Sequence, residues 1–147
     1  MAASSIKIAD AVAAVLNAAE LSPPVTAVRA WLPPAELPDM KSLHVTVAPG
    51  ARRSTAASRG QLAVDCDITI ACMKQIETDA DVDALFELVE EIEVLLFGEG
   101  LDQADGAVCT GMLTEPLLAA EHLTELQQFT AVLTATYRTY LDAAAGL

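Results

Sequence analysis

Between Gly60 and Lys74 the chain alternates between two residue sets, and only an extended strand gives each set a face of its own. Leu62, Val64, Cys66, Ile68, Ile70 and Cys72 share one face. Ala63, Asp65, Asp67, Thr69 and Ala71 share the other, which is polar at its centre. One apolar and one polar face point to a sheet covered on one side, with its other side toward water or a polar partner. The same alternation returns near the end of the chain. Phe129, Ala131, Leu133, Ala135 and Tyr137 line one face there, and Thr130, Val132, Thr134, Thr136 and Arg138 line the other.

The remaining periodicity is helical in two places. Ile8, Val12, Val15, Leu16 and Ala19 form one stripe, with Ser4 or Ser5 as the expected cap and Ser22-Pro23-Pro24 as the stop. Val82, Leu85, Val89, Ile92 and Leu96 form a second stripe, capped by Thr78 or Asp79 and ended by Gly98 and Gly100. Ala84, Leu88 and Leu95 widen that apolar surface beyond the needs of one sheet contact; they read as a broad core contact or, as the alternative, a subunit interface. Shorter strands are predicted over Val25 to Leu32 (which holds Trp31), Ser42 to Ala48 and Val108 to Leu113. Pro33-Pro34 and Pro38-Asp39 mark a turn, and Pro116 to Gln127 is predicted as loop or a brief helical turn. The predicted fold is α+β: a mixed or antiparallel sheet of about four to five strands with two main helices packed on one face. A length of 147 residues fits a single domain, and such a chain buries about 70% of its unfolded surface on folding.

The segment from Pro49 to Gly60 has no apolar anchor and is predicted as a mobile loop. It holds the only basic cluster, Arg52, Arg53 and Arg59, a candidate arm for docking onto acidic groups of a partner. Acid dominates elsewhere. The net charge is -13, and from Asp65 to Asp105 Lys74 is the only cation. Such a balance argues against gripping nucleic acid, which needs clustered Lys and Arg. Asp65, Asp67, Glu87, Glu90 and Glu91 are candidates for a surface that repels phosphate, and the bland alternative is a solvated face.

Signals for chemistry are weak. Cys66, Cys72 and Cys109 include no CxxC pair and read as small buried hydrophobes. His44 falls mid-strand and His122 in a loop, and no nucleophile elbow, Walker loop or dinucleotide fingerprint occurs. Asp65 and Asp67 lie ~7 Å apart along one strand face, but the sequence fixes no third ligand for a metal beside them. The expectation is therefore no catalytic residue, no metal and no cofactor. No apolar run approaches the roughly 20 residues of a membrane span. The N-terminus lacks the basic start and apolar core of a secretory signal, which predicts folding in the cytoplasm.

Four segments together resemble the tail terminator, or minor tail protein, family of long-tailed bacteriophages. They are the opening helix from Ile8 to Ala19 running into Ser22-Pro-Pro and Trp31-Leu-Pro33; Leu37-Pro-Asp-Met-Lys-Ser-Leu-His-Val-Thr-Val-Ala-Pro49; the arginine-bearing stretch ending Ser58-Arg-Gly60 with the alternating strand after it; and Glu121 to Arg138. The likeness covers most of the chain. It implies an α+β subunit of a hexameric ring that caps the tail tube, ends its polymerisation and offers a surface to the head–tail connector. DNA would pass through the lumen without specific binding. It implies a place in the virion tail or neck after assembly in the host bacterial cytoplasm, and no catalysis. The alternatives are another neck or tail-completion protein and a small-molecule-binding regulatory α+β domain.

Overall fold

The computed structural model describes residues 3–21, 25–30, 43–98, 100–101, 104–115 and 128–142. Its elements in chain order are α1 (Ser4–Ala18), β1 (Ala27–Arg29), β2 (His44–Ser58), β3 (Gln61–Gln75), α2 (Asp79–Gly98), β4 (Val108–Thr114) and β5 (Gln128–Asp142). The strands form one mixed sheet in the order β1-β2-β3-β5-β4, in which only the β1–β2 pairing is parallel.

The two alternating segments are its centre. β3 pairs with β5 along its whole length, from Gln61 opposite Asp142 to Gln75 opposite Gln128. This register brings like faces together: Cys66 meets Tyr137 and Ile70 meets Leu133 on one side, while Asp65 meets Arg138 and Asp67 meets Thr136 on the other. Both helices cover the first side. α1 packs under β1, β2 and β3, and α2 under β5 and β4. Ile8, Val12 and Leu16 from α1 and Leu85, Leu88, Val89, Ile92 and Leu96 from α2 join the inward side chains of the sheet in one core. The α+β class and the packing of the helices against the sheet are as the sequence predicts.

The helix ends differ in how they are held. α1 begins at Ser4, so neither serine caps it. Ala3 occupies the cap position, and Ser5 donates instead to Cys66 Sγ at 3.4 Å. The last turn is fixed from the side: Asn17 donates to the Ala27 carbonyl at 3.0 Å and accepts from the Ala27 amide at 2.7 Å, tying α1 to β1. α2 has a capping box. The Asp81 carboxylate accepts from the amides of Glu77 and Thr78, and the Thr78 hydroxyl accepts from the Asp81 amide. Hydrogen bonds from those amides hold the Asp81 carboxyl below its ordinary range.

The main departure from expectation lies between Pro49 and Gly60. These residues are no mobile loop. All but the last two belong to β2, and the turn is only Arg59 and Gly60, with Gly60 at φ 84°. Gly60 supplies a left-handed conformation that most residues resist, so the hairpin turns back at once. The physical reason for extended backbone without an apolar pattern is β3, whose free edge offers a ladder to whatever runs beside it. Two register shifts, at Pro49/Arg52 and Ala56/Ser58, let the irregular stretch follow it. At Gly50 the strands come so close that a Cβ would sit 3.2 Å from the Asp67 carbonyl oxygen. Of the predicted strand over Val25 to Leu32, the described residues are extended from Ala27 to Arg29, as β1. Trp31, the prolines at 23, 24, 33, 34 and 38, His122 and the segment from Pro116 to Gln127 lie outside the described residues.

Candidate functional site

The face of β3 turned away from the helices carries Asp65, Asp67 and Thr69, with Arg53 from β2 and Thr134, Thr136 and Arg138 from β5 beside them. Register alone places opposite charges side by side there. Arg138 makes two hydrogen bonds to Asp65, at 2.8 and 3.0 Å. Arg53 makes two to Asp67, at 3.0 and 2.9 Å, and the Thr136 hydroxyl donates to the same carboxylate at 2.7 Å. Such forked pairs fix both members in the plane of the contact. The hydrogen bond from Arg138 holds the Asp65 carboxyl below the usual carboxylate range, and those from Arg53 and Thr136 do the same for Asp67 against a partial loss of water.

A depressed carboxyl pKa stabilises the fold above the unfolded value of about 3.9, and that contribution disappears as pH falls through the lower folded value. The arginines are half exposed, so solvent screens both pairs and the contribution is small. Replacing both residues, Asp65→Asn with Asp67→Asn, is expected to lower the melting temperature slightly at pH 7. The gap to the parent should close as pH falls below the unfolded carboxyl value of about 3.9. A thermal scan series through that value measures it; a gap independent of pH would show that the pairs contribute nothing.

These pairs correct two expectations. Asp65 and Asp67 are not bare acids, because each faces an arginine of the same chain. They also do not share a face with Glu87, Glu90 and Glu91, which stand exposed on α2 on the opposite side of the sheet. Strand alternation sends the two aspartates away from the helices, so the five residues form no single acidic surface. The arginine cluster is divided as well. Arg53 is held by Asp67, whereas Arg52, paired opposite Cys66, lies on the helix-facing side of β2, and Arg59 sits in the turn. Arg52 and Arg59 make no ion pair among the described residues, and every residue from 50 to 60 is exposed. The hairpin end is thus an ordered basic arm projecting past the helix-covered core.

The proposed interface on α2 changes too. Leu88 is fully buried and Leu95 is half-buried against the core; only Ala84 is exposed. The large apolar side chains that α2 presents to solvent are Val94 and Phe97, each 69% exposed. On its flank toward β4, Glu93 accepts from the Thr114 hydroxyl at 2.8 Å. On its other flank an open groove of about 670 Å³ is lined by Glu20, Leu21, Glu87, Glu90, Glu91 and Leu95 among others.

Among the described residues no three His, Cys, Asp or Glu side chains converge as metal ligands. Cys66, Cys72 and Cys109 are buried free thiols, and burial pushes the Cys72 thiol up to about 12. Tyr137 is buried, and its hydroxyl finds no hydrogen-bond partner among the described residues. No described helix is long and apolar enough to cross a membrane. No protein-family model matches the sequence, and no curated protein matches it significantly.

Proposed function

We propose that this chain is a structural subunit of virion assembly, a tail terminator that forms a ring on the tip of a phage tail tube, stops its growth and presents a surface to the head–tail connector. The resemblance of its four segments supplies that identity, with a ring of six in the family it resembles. The observation that carries the reading here is the arm. Residues 50–60 are exposed without interruption, hold Arg52 and Arg59 without ion-pair partners among the described residues, and belong to a stretch from Leu43 to Val64 that contains no acid. A cationic projection on a chain of net charge -13 suits docking onto acidic protein surfaces. The overall negative charge suits a lumen through which DNA slides without being held.

The test is tube growth in the presence of purified chain. Polymerising tail-tube protein should yield tubes of bounded length, each capped by a ring visible in electron micrographs. The double variant Arg52→Ala/Arg59→Ala should keep its melting temperature within about 2 °C, because exposed side chains without partners contribute little. It should nevertheless leave tubes over-long. Tubes of unaltered length with the parent chain would remove the terminator reading.

A further inference from the structure

We propose that copies of this chain join head to tail through their two sheet edges, the outer edge of β2 in one copy pairing with the outer edge of β4 in the next. The proposal deepens the ring-forming reading above, and it rests on that reading only for the tube partner. The partner at this edge is a second copy of the chain itself.

Three observations carry it. The first is that both edges are open among the described residues. There β1 covers β2 only from Val45 to Val47, β2 beyond Ala48 has a neighbour on one side alone, and β4 closes the other margin of the sheet. An exposed row of unpaired backbone donors and acceptors is a template for another strand. The stretch from Arg52 to Ala56 keeps a regular register with β3, and so does Gly111 to Thr114 with β5. Each is long enough for several ladder bonds.

The second is direction. β2 runs antiparallel to β3, β3 to β5, and β5 to β4. β2 and β4 therefore run in opposite senses. A neighbour laid beside the first copy in the same orientation presents β4 antiparallel to β2, and its helices fall on the same side of the joined sheet.

The third is charge. The β2 margin carries Arg52 and Arg59, and the positive Arg29 on β1 is met by Asp10. The β4 margin carries Glu93, tied to Thr114, and Glu115 at the strand end. Arg52 projects on the helix side of β2, which is the side where a neighbour's α2 lies beneath its own β4. Pairing β2 with β2 would oppose Arg52 and Arg59 to their own kind, and pairing β4 with β4 would oppose glutamates. Only the unlike pairing sets cation against anion. An interface made of two different patches repeats from copy to copy, and closes into a ring when the rotation permits. It would also cover part of Phe97 and Leu113, which are 69% and 61% exposed.

Light scattering over a concentration series, combined with cross-linking, tests it. Arg52→Glu and Glu93→Arg should each raise the concentration for half-association by about tenfold or more. The double variant, and an equimolar mixture of the two single variants, should recover association. In a chain with Thr55→Cys and Leu113→Cys, two exposed positions on the same side of the sheet, a short bis-maleimide should give a ladder beyond the dimer, since the native thiols are buried. Cross-linking that stops at the dimer overturns head-to-tail joining. So do larger rings that form on tube tips but ignore both charge reversals, an outcome that leaves the ring reading standing. A chain that stays monomeric at millimolar concentration and never caps tubes removes both.

Discussion

Leu88→Ala is expected to destabilise the fold by about 2–5 kcal/mol, the range for deleting a fully buried leucine side chain. Leu88 has no exposed surface, and Leu85, Val89, Ile92 and Leu96 around it belong to the same core. Little room exists for the site to collapse, which places the cost above the bare transfer value. Denaturant unfolding monitored by circular dichroism measures it as a drop in midpoint at constant slope. Ala84, one helical turn away in sequence, is exposed, so Ala84→Ser should change stability little. If Leu88→Ala proves as mild as Ala84→Ser, the helix is not seated as described and Leu88 reverts to an interface residue.

The burial of Leu88 shows where sequence periodicity stops. One stripe on α2 was legible because Leu85, Val89, Ile92 and Leu96 repeat at helical spacing. A second apolar set beside it has two readings, a broader core or a partner. The answer depends on the sheet being wide enough for α2 to lie across β5 and β4 with α1 alongside, and no local pattern encodes that width. By contrast β3 and β5 were legible nearly to the residue. A side chain period of two admits no register slip without turning every apolar group to water.

The arm and the aspartates fail for a related reason. Pro49 to Ser58 has the composition of a loop, and its extended form comes from the ladder with β3, a long-range contact. With that strand taken for loop, Arg53 had no fixed position, and its pairing with Asp67 could not be foreseen. Arg138 was already on the correct face in the sequence. Its pairing with Asp65 needed the register of β5 against β3, which composition does not supply. One cue was present: Gly60 follows Arg59 directly before the alternating strand, and a glycine there permits a two-residue turn. The corrected site is smaller in free charge than the sequence implies. It is also more directional, with Arg52 and Arg59, which have no ion pair among the described residues, at one margin of the sheet and Glu93 and Glu115 at the other.

Phe129→Ala is expected to cost about 3–5 kcal/mol, the other large effect on stability. Phe129 is fully buried where β5 begins, and its ring meets that of Phe86 on α2 edge to face, with centroids 5.7 Å apart and planes at 65°. Phe86 is only half-buried against the core, so Phe86→Ala alone should cost less. The pair should also couple. An edge-to-face contact contributes about 0.5–1.5 kcal/mol beyond the area it buries, so the double variant should lose less than the two single losses added together. A double-mutant cycle by denaturant unfolding measures that difference. This contact is one of the side chain links that seat α2 against β5, and α2 carries Glu93 at the β4 margin. Phe129→Ala should therefore weaken association of the folded chain as well, whereas an additive cycle with unchanged association would show that α2 is held in place by its other contacts.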